Sequence, residues 1–217
     1  MTDKGWERIY QEEGDLGFRV LPKIRRIARV FKISNFHKIL DLGCGTGRHT
    51  IFLAQNGFCI QADDLSPTGI KIARKKAKSL NISNIRFKQH DMKAIPFSDD
   101  SFDAVICTWT IYHATQKEMM NIMAEIYRVL KPDGILVTDF LTTKDSTYGL
   151  GVEIEKNTFI GQKPGEEDVP HHYATRDEIR KLLNGFRENT ILARTKSYID
   201  KSGHKYTRKY YDVEAVK

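Results

Sequence analysis

Apolar residues along this chain follow two rhythms, short runs of strand length and longer stretches that repeat at three and four. The short runs cover 36–42, Phe58–Asp63, Asn84–His90, Phe102–Thr108 and Ile135–Leu141. Helical spacing fills 47–56, 67–79 and 116–130; in the last, Met119, Ile122, Met123, Ile126, Val129 and Leu130 make one core-facing stripe. The punctuation agrees. Asn56-Gly57 stops the first helix, and Ser66-Pro67 gives the second an N-cap and a first helical residue. Lys131-Pro132-Asp133-Gly134 reads as the end of the third. Upstream, Trp6–Glu12 predicts a short helix and Leu21–Ile33 a longer one with Pro22 in its first turn. Strand and helix alternate, which predicts an α/β fold with a parallel sheet and helices on both faces.

After Thr142 the alternation breaks. Residues 143–173 are polar and Gly-rich, with no clear period and a charged stretch Gly165-Glu166-Glu167-Asp168. A connection this long reads as a lid or binding loop. Thr175 then caps a helix to about Leu183, Asn184-Gly185 stops it, and 187–199 and 204–216 read as an antiparallel hairpin on the sheet edge around Lys201-Ser202-Gly203.

Composition narrows the class. With 217 residues, 40% hydrophobic and 29% charged, the chain suits one globular domain over 1–217. No apolar run has the length of a membrane span, and the polar N-terminus lacks a signal-peptide core. Cys44, Cys59 and Cys107 sit in or beside strands without CxxC spacing, so reduced thiols in a cytoplasmic protein are expected, with no metal site. The net charge of +7 raises nucleic-acid binding, since Lys and Arg gather in Lys23–Lys32, Lys71–Lys78 and Arg194–Lys209. The first two clusters interleave with apolar residues at helical spacing, which favours amphipathic helices with solvated basic faces.

In open α/β sheets, ligands sit at the carboxyl ends of the strands. The first strand ends in Asp41-Leu42-Gly43-Cys44-Gly45-Thr46-Gly47-Arg48. Glycines there let the backbone turn sharply and a flat ligand lie against it. The spacing is Gly-x-Gly-x-Gly, with Arg48 where a dinucleotide loop would carry its last glycine, so the pyrophosphate pattern fits poorly. Asp41 would repel a phosphate and attract a cation. Asp64, about twenty residues past the glycines, can accept both hydroxyls of a ribose. Asp91 is placed to accept from an exocyclic amine, the Met92 N–H can donate to a ring nitrogen, and Leu65, Met92 and Ile95 offer an apolar slot. Strands four and five end at Thr108-Trp109 and Asp139. A ribose, an adenine, a positive centre and no phosphate describe S-adenosylmethionine better than NAD.

Ile39–Gly47, Asp64-Leu65-Ser66, Asp91-Met92, Phe97–Asp103 and Arg128–Gly134 resemble the ordered motifs of class I S-adenosylmethionine-dependent methyltransferases, the small single-domain branch that acts mostly on small molecules. The resemblance spans roughly 36–142 in register. It implies a Rossmann-like three-layer sandwich whose seven-stranded, mostly parallel sheet has an antiparallel last strand. It also implies Asp41 and the glycines at the methionine part, Asp64 at the ribose, and Asp91 and Met92 at the adenine; with Gly43, Cys44, Gly45, Gly47, Leu65, Tyr10, Thr108 and Trp109 these make the expected cofactor-binding set. Asp63 and Asp64 are adjacent, and register with Leu65-Ser66 favours Asp64 for the ribose.

Methyl transfer from a sulfonium is an in-line displacement, so the protein mainly aligns acceptor and methyl and excludes water. A base is needed only where the acceptor must lose a proton. His113 and Tyr112 after strand four, and His171 and His172 at the end of the insertion, are the candidates. Neighbours on an extended segment point opposite ways, so at most one of His171 and His172 is expected to face the acceptor. Trp6 and Tyr10, one helical turn apart, either dock on the core or cover the cofactor. The resulting expectation is a methyltransferase for a small-molecule acceptor, acting as a monomer or homodimer, with 1–35 a helical segment and 143–173 a lid over the acceptor site. Two alternatives stay open, an RNA methyltransferase using the basic helices and a non-catalytic cofactor-binding protein. Against RNA, strand four ends in Cys107-Thr108-Trp109-Thr110, not in the Asn/Asp-Pro-Pro-aromatic run of base-amine methylases.

Overall fold

The five apolar runs form parallel strands in a computed structural model that describes residues 5–162, 165–199, 203 and 205–217: β1 (Lys38–Leu42), β2 (Cys59–Asp64), β3 (Ile85–Gln89), β4 (Phe102–Cys107) and β5 (Leu130–Thr142). Their order is β3-β2-β1-β4-β5. The helices are α1 (Gly5–Glu13), α2 (Pro22–Ile33), α3 (Arg48–Gln55), α4 (Pro67–Ser79), α5 (Gln116–Val129) and α6 (Arg176–Leu182). Ser66 and Thr175 cap their helices as expected, and Thr115 adds an unanticipated cap to α5. The Ser66 side chain accepts from the Gly69 N–H, and Thr115 with Glu118 and Thr175 with Glu178 form capping boxes.

Strand geometry divides the core in two. Ile39, Ile60, Ala104, Ile106 and Val137 share one face with Ile24, Ile27 and Phe31 of α2 and Leu53 of α3. Leu40, Leu42, Val105, Leu136 and Phe140 share the other with the Met119-Ile122-Met123-Ile126 stripe of α5 and Ile179 of α6. Burial on both faces is why these strands read as unbroken apolar runs.

The terminal segments form β9 (Glu188–Ile199) and β10 (Lys205–Val216), paired antiparallel. β10 lies antiparallel against Ile135–Leu141 of β5, so the last strand is internal and β9 is the outer one. Of the turn expected at Lys201-Ser202-Gly203, positions 201 and 202 fall outside the described residues. These seven strands give the mostly parallel sheet with an antiparallel last strand.

The insertion adds three more. β6 (Val152–Glu155), β7 (Thr158–Ile160) and β8 (His171–Ala174) extend the sheet to ten strands rather than seven. β8 pairs parallel with β5 at Leu141–Thr142, β7 pairs antiparallel with β8, and β6 with β7. Strands of four and three residues, one with Val152 and Ile154 exposed, leave no alternating pattern to read. A second difference lies at Lys131-Pro132-Asp133-Gly134, expected to end the helix ahead of a strand at Ile135: the helix does end, at Val129, but the strand begins at Leu130. Leu130 already pairs with Phe102, the register then shifts, and Asp133 takes a φ of 64°, so this stretch is the irregular start of β5.

The basic face of α2 is partly consumed inside the fold, because Lys23 pairs with Asp139 and Asp212, and Arg26 with Glu214. Among the described residues no helix is long and apolar enough to cross a membrane.

Phe140 is fully buried and Leu150 is 45% exposed. Phe140→Ala should lower unfolding free energy in urea by about 3–5 kcal/mol, through lost transfer energy and the cavity left behind. Leu150→Ala should change it by less than about 0.5 kcal/mol.

Candidate active site

β1, β2 and β3 step one way across the sheet while β4 and β5 step the other, so the order reverses between β1 and β4. That reversal opens a crevice at the strand tips. Here it is a cavity of about 960 Å³, at the upper end of the range for a single small ligand.

The loop after β1 is held by the tip of β2. The Gly43 and Cys44 N–H groups donate to the Asp63 carbonyl at 2.8 and 2.9 Å. The Gly45 N–H donates to Asp64 Oδ2 at 2.7 Å, and Ser66 N–H to Asp64 Oδ1 at 2.8 Å. Gly47 N–H donates to the Cys44 carbonyl at 2.9 Å. These loop amides are therefore engaged within the protein and do not form an anion nest. Gly43, Gly45 and Gly47 have φ of 75°, 54° and 83°. A Cβ on Gly43 would stand 2.2 Å from Thr110, on Gly45 2.6 Å from the Tyr10 hydroxyl, and on Gly47 2.8 Å from Ala73 Cβ. Gly47 thus serves the packing of α3 on α4 and does not line the cavity.

The two acids at the end of β2 separate cleanly. Asp63 is fully buried and accepts from Gln61 and from His90 Nε2 at 2.7 Å. Burial opposes the charge on His90, but the Asp63 hydrogen bond outweighs it and raises the imidazole above its ordinary range. Asp64 turns toward the glycine loop and the cavity. Asp91 accepts from the Lys93 N–H at 2.9 Å and lines the cavity with Leu65 and Met92. Ile95 is instead buried in the core. Asp41 lies behind the cavity wall and accepts from Thr50 Oγ1 at 2.5 Å. Burial pushes its carboxyl up to about 7, partly offset by the Thr50 hydrogen bond and the charge of Arg48.

Helix α1 lies over this end. Glu7 accepts from Ser66 Oγ, Thr68 N and Thr68 Oγ1 at the start of α4, and Tyr10 packs between Gly45 and Gly69. Arg8 reaches the Gly165 carbonyl at 2.9 Å and pairs with Glu167 of the insertion. Asp15 accepts from Thr46 Oγ1 at 2.8 Å and pairs with Lys76.

Beyond β4 the wall is aromatic and basic. Tyr112, His113 and His171 line the cavity with Thr108 and Trp109. The rings of His113 and His171 meet edge-on at 4.6 Å, and Trp6 sits 5.4 Å from His113. His171 Nε2 stands 2.9 Å from Glu166, with Nδ1 3.1 Å from the Val169 carbonyl. His172 faces away, bonded to Thr158 at 2.7 Å and Glu178 at 2.9 Å. Cys44 and Cys107 are buried and their thiols are pushed well above the ordinary range, first by burial and then by nearby carboxylates.

Some lining residues carry no local signature in the sequence. Phe18, Glu166, Lys196 and Arg208 reach the cavity from a loop, the insertion, β9 and β10. Arg48 and His49 did leave a trace, as two polar residues opening the helix after the glycines.

Residues 39–134 match the family model of the methyltransferase domain. YqeM of Bacillus subtilis, a protein named as a methyltransferase, is 34% identical over 144 residues, which is 65% of this chain and 56% of that protein. A structure of a SAM-dependent methyltransferase from Methanosarcina mazei has a TM-score of 0.69 at 24% identity, covering 91% of this chain and 98% of that one. The Burkholderia thailandensis 1,6-didemethyltoxoflavin-N1-methyltransferase, solved with that small molecule and S-adenosylhomocysteine, has a TM-score of 0.64 at 17% identity over 96% of this chain and 84% of its own. The chain spans about half the length of the curated relatives it matches. Over residues 39–134 it carries a class I S-adenosylmethionine-dependent methyltransferase domain.

One pH effect follows from Asp41. Its folded-state value near 7 lies above the ordinary 3.8, so between those values the folded chain keeps a proton that the unfolded chain has lost. Its contribution to stability is complete below about pH 4 and is lost as pH rises to about 7. In urea titrations across that window, Asp41→Asn should therefore gain stability relative to the wild type as pH increases.

Proposed function

We propose that this chain transfers the methyl group of S-adenosylmethionine to a small-molecule acceptor by in-line displacement. The observation that carries the reading is the pairing of two carboxylates, Asp64 and Asp91, with a glycine loop whose amides are already bonded. Such a site accepts from a diol and an amine, and the Gly43, Cys44, Gly45 and Gly47 amides that a pyrophosphate would need are spent within the protein. A carboxylate accepts at about four sites, so Asp64 can hold the Gly45 and Ser66 amides and still serve a ribose hydroxyl. Asp63 spends its buried carboxylate on Gln61 and His90, which supports Asp64 in that role. Gly43, Cys44, Gly45 and Tyr10 would lie along the methionine part, Leu65 and Met92 against the adenine, and Thr108 and Trp109 toward the methyl.

When bound, the cofactor supplies a methyl group already activated on a sulfonium. The chain's own work is alignment, exclusion of water and care of a proton. Trp6, Tyr10 and the insertion close the cavity from above. His113 Nδ1 lies 3.4 Å from the Pro170 carbonyl, which favours a proton on Nδ1 and fixes the ring at the cavity wall. We assign His113 the acceptor's proton, with Tyr112 and His171 setting its ring position; both His171 nitrogens already face acceptors, and His172 is outside the site. The free thiols, two of them buried, support a reducing, cytoplasmic setting. Residues 1–217 are read as one domain.

Calorimetry tests the cofactor half. S-adenosylhomocysteine should bind and NADH should not, and Asp64→Ala should weaken binding by about tenfold or more, the loss of hydrogen bonds to a charged group. Unchanged affinity in Asp64→Ala would refute the ribose assignment. For the acceptor half, His113→Gln should lower kcat by about 100-fold and remove the acid limb of the pH–rate profile, with cofactor affinity within about threefold.

A further inference from the structure

The Arg48 guanidinium lines the cavity in an unusual state. It sits 4.8 Å from the Trp109 ring centre and 5.4 Å from that of Phe18, and among the described residues it makes no hydrogen bond or ion pair. Aromatic faces take up none of its five N–H donors. Next to it, His49 is 4% exposed and lines the same cavity with both ring nitrogens unpartnered. Burial, with the charges of Arg48 and Lys23, pushes that imidazole well below its ordinary range, so the ring is neutral, with one N–H to donate. Lys196 Nζ lies 5.3 Å from the Trp109 ring centre, and it too has no ion pair or hydrogen bond among the described residues. Buried polar groups are normally satisfied, and each unsatisfied one calls for an explanation.

The other charges here have partners inside the protein. Asp139 holds Lys23, Arg208 lies 3.6 Å from Asp145, and Glu166 faces His171. The cavity is therefore polarised, with Asp64 and Asp91 toward the tips of β2 and β3, and Arg48 and Lys196 without ion partners around Trp109. One carboxylate on the cofactor, itself beside an ammonium, would not neutralise two such cations.

We propose that the methyl acceptor is an organic anion whose oxyanion group is gripped by the Arg48 fork, with His49 donating a further hydrogen bond and Lys196 at the rim. A planar guanidinium suits carboxylate and phosphate alike. This deepens, and rests on, the methyltransferase reading above. It gives Lys196 of the third basic cluster a small-molecule role, in place of the nucleic-acid role that the cluster's charge first suggests.

The test uses a metabolite extract split on anion-exchange resin before incubation with the protein and methyl-labelled S-adenosylmethionine. Label should enter compounds of the retained fraction; uptake confined to the flow-through overturns the proposal. Phosphatase treatment of that fraction separates the sources, loss of uptake marking a phosphate and survival a carboxylate. Arg48→Met should raise KM for the retained fraction by about tenfold or more, and the surface variant Lys196→Met by a few-fold, as expected for hydrogen bonds and charge pairing to an anion. S-adenosylhomocysteine affinity, measured in parallel, should move less than threefold and shows that each variant is folded. A raised cofactor Kd with unchanged KM assigns the grip to the cofactor's own carboxylate and overturns the acceptor assignment. Failure of the wild type to bind S-adenosylhomocysteine would instead remove the methyltransferase reading itself.

Discussion

The far half of the cavity depends on one buried ammonium. Lys23 of α2 lies 2.5 Å from Asp139 and 2.9 Å from Asp212, which belong to β5 and β10. Burial disfavours its charge, and the two carboxylates more than offset that, holding the ammonium above its ordinary range. Taking one partner from such a group leaves a buried charge uncompensated, a loss of about 3–5 kcal/mol. Asp139 has a second duty, since its Oδ1 accepts the Trp109 N–H at 2.8 Å. Trp109 takes a φ of 58°, a conformation that non-glycine residues seldom adopt and that surrounding structure has to enforce. An ion cluster between α2, β5 and β10 thus fixes the aromatic plate on which Arg48 rests.

The near half depends on main-chain bonds. Asp63 and Asp64 are neighbours with opposed duties: one side chain goes inward to His90, the other outward to the glycine loop, as successive residues of a strand must. The Asp63 carbonyl fastens the start of the same loop. Loop, Asp64 and adjacent strand are therefore bonded into one unit, which holds the carboxylate in a set geometry.

Much of this was legible in the chain. Strands β1 to β5 are buried on both faces, so their apolar runs are strong, and the carboxyl-end rule then gathers Asp64, Asp91 and Trp109 without further information. The three strands of the insertion were not legible. Their pairing partners are far apart in sequence, Leu141 with Tyr173 and Thr158 with His172, and their lengths of three or four residues carry too little periodicity. Lys196 and Arg208 were visible only as charge, because which way a side chain of a long hairpin points depends on register against β5. Asp41 illustrates a different limit. Its position before the glycines is plain, but its burial against Thr50 instead of in the cavity wall comes from the packing of α3.

Glu7, Tyr10 and Asp15 strap the N-terminal segment across the glycine loop, and Arg8 ties that strap to the insertion. A molecule seated beneath it would share its way out with that strap. Such a clasp would make passage at this end depend on a short helix as well as on the pocket floor.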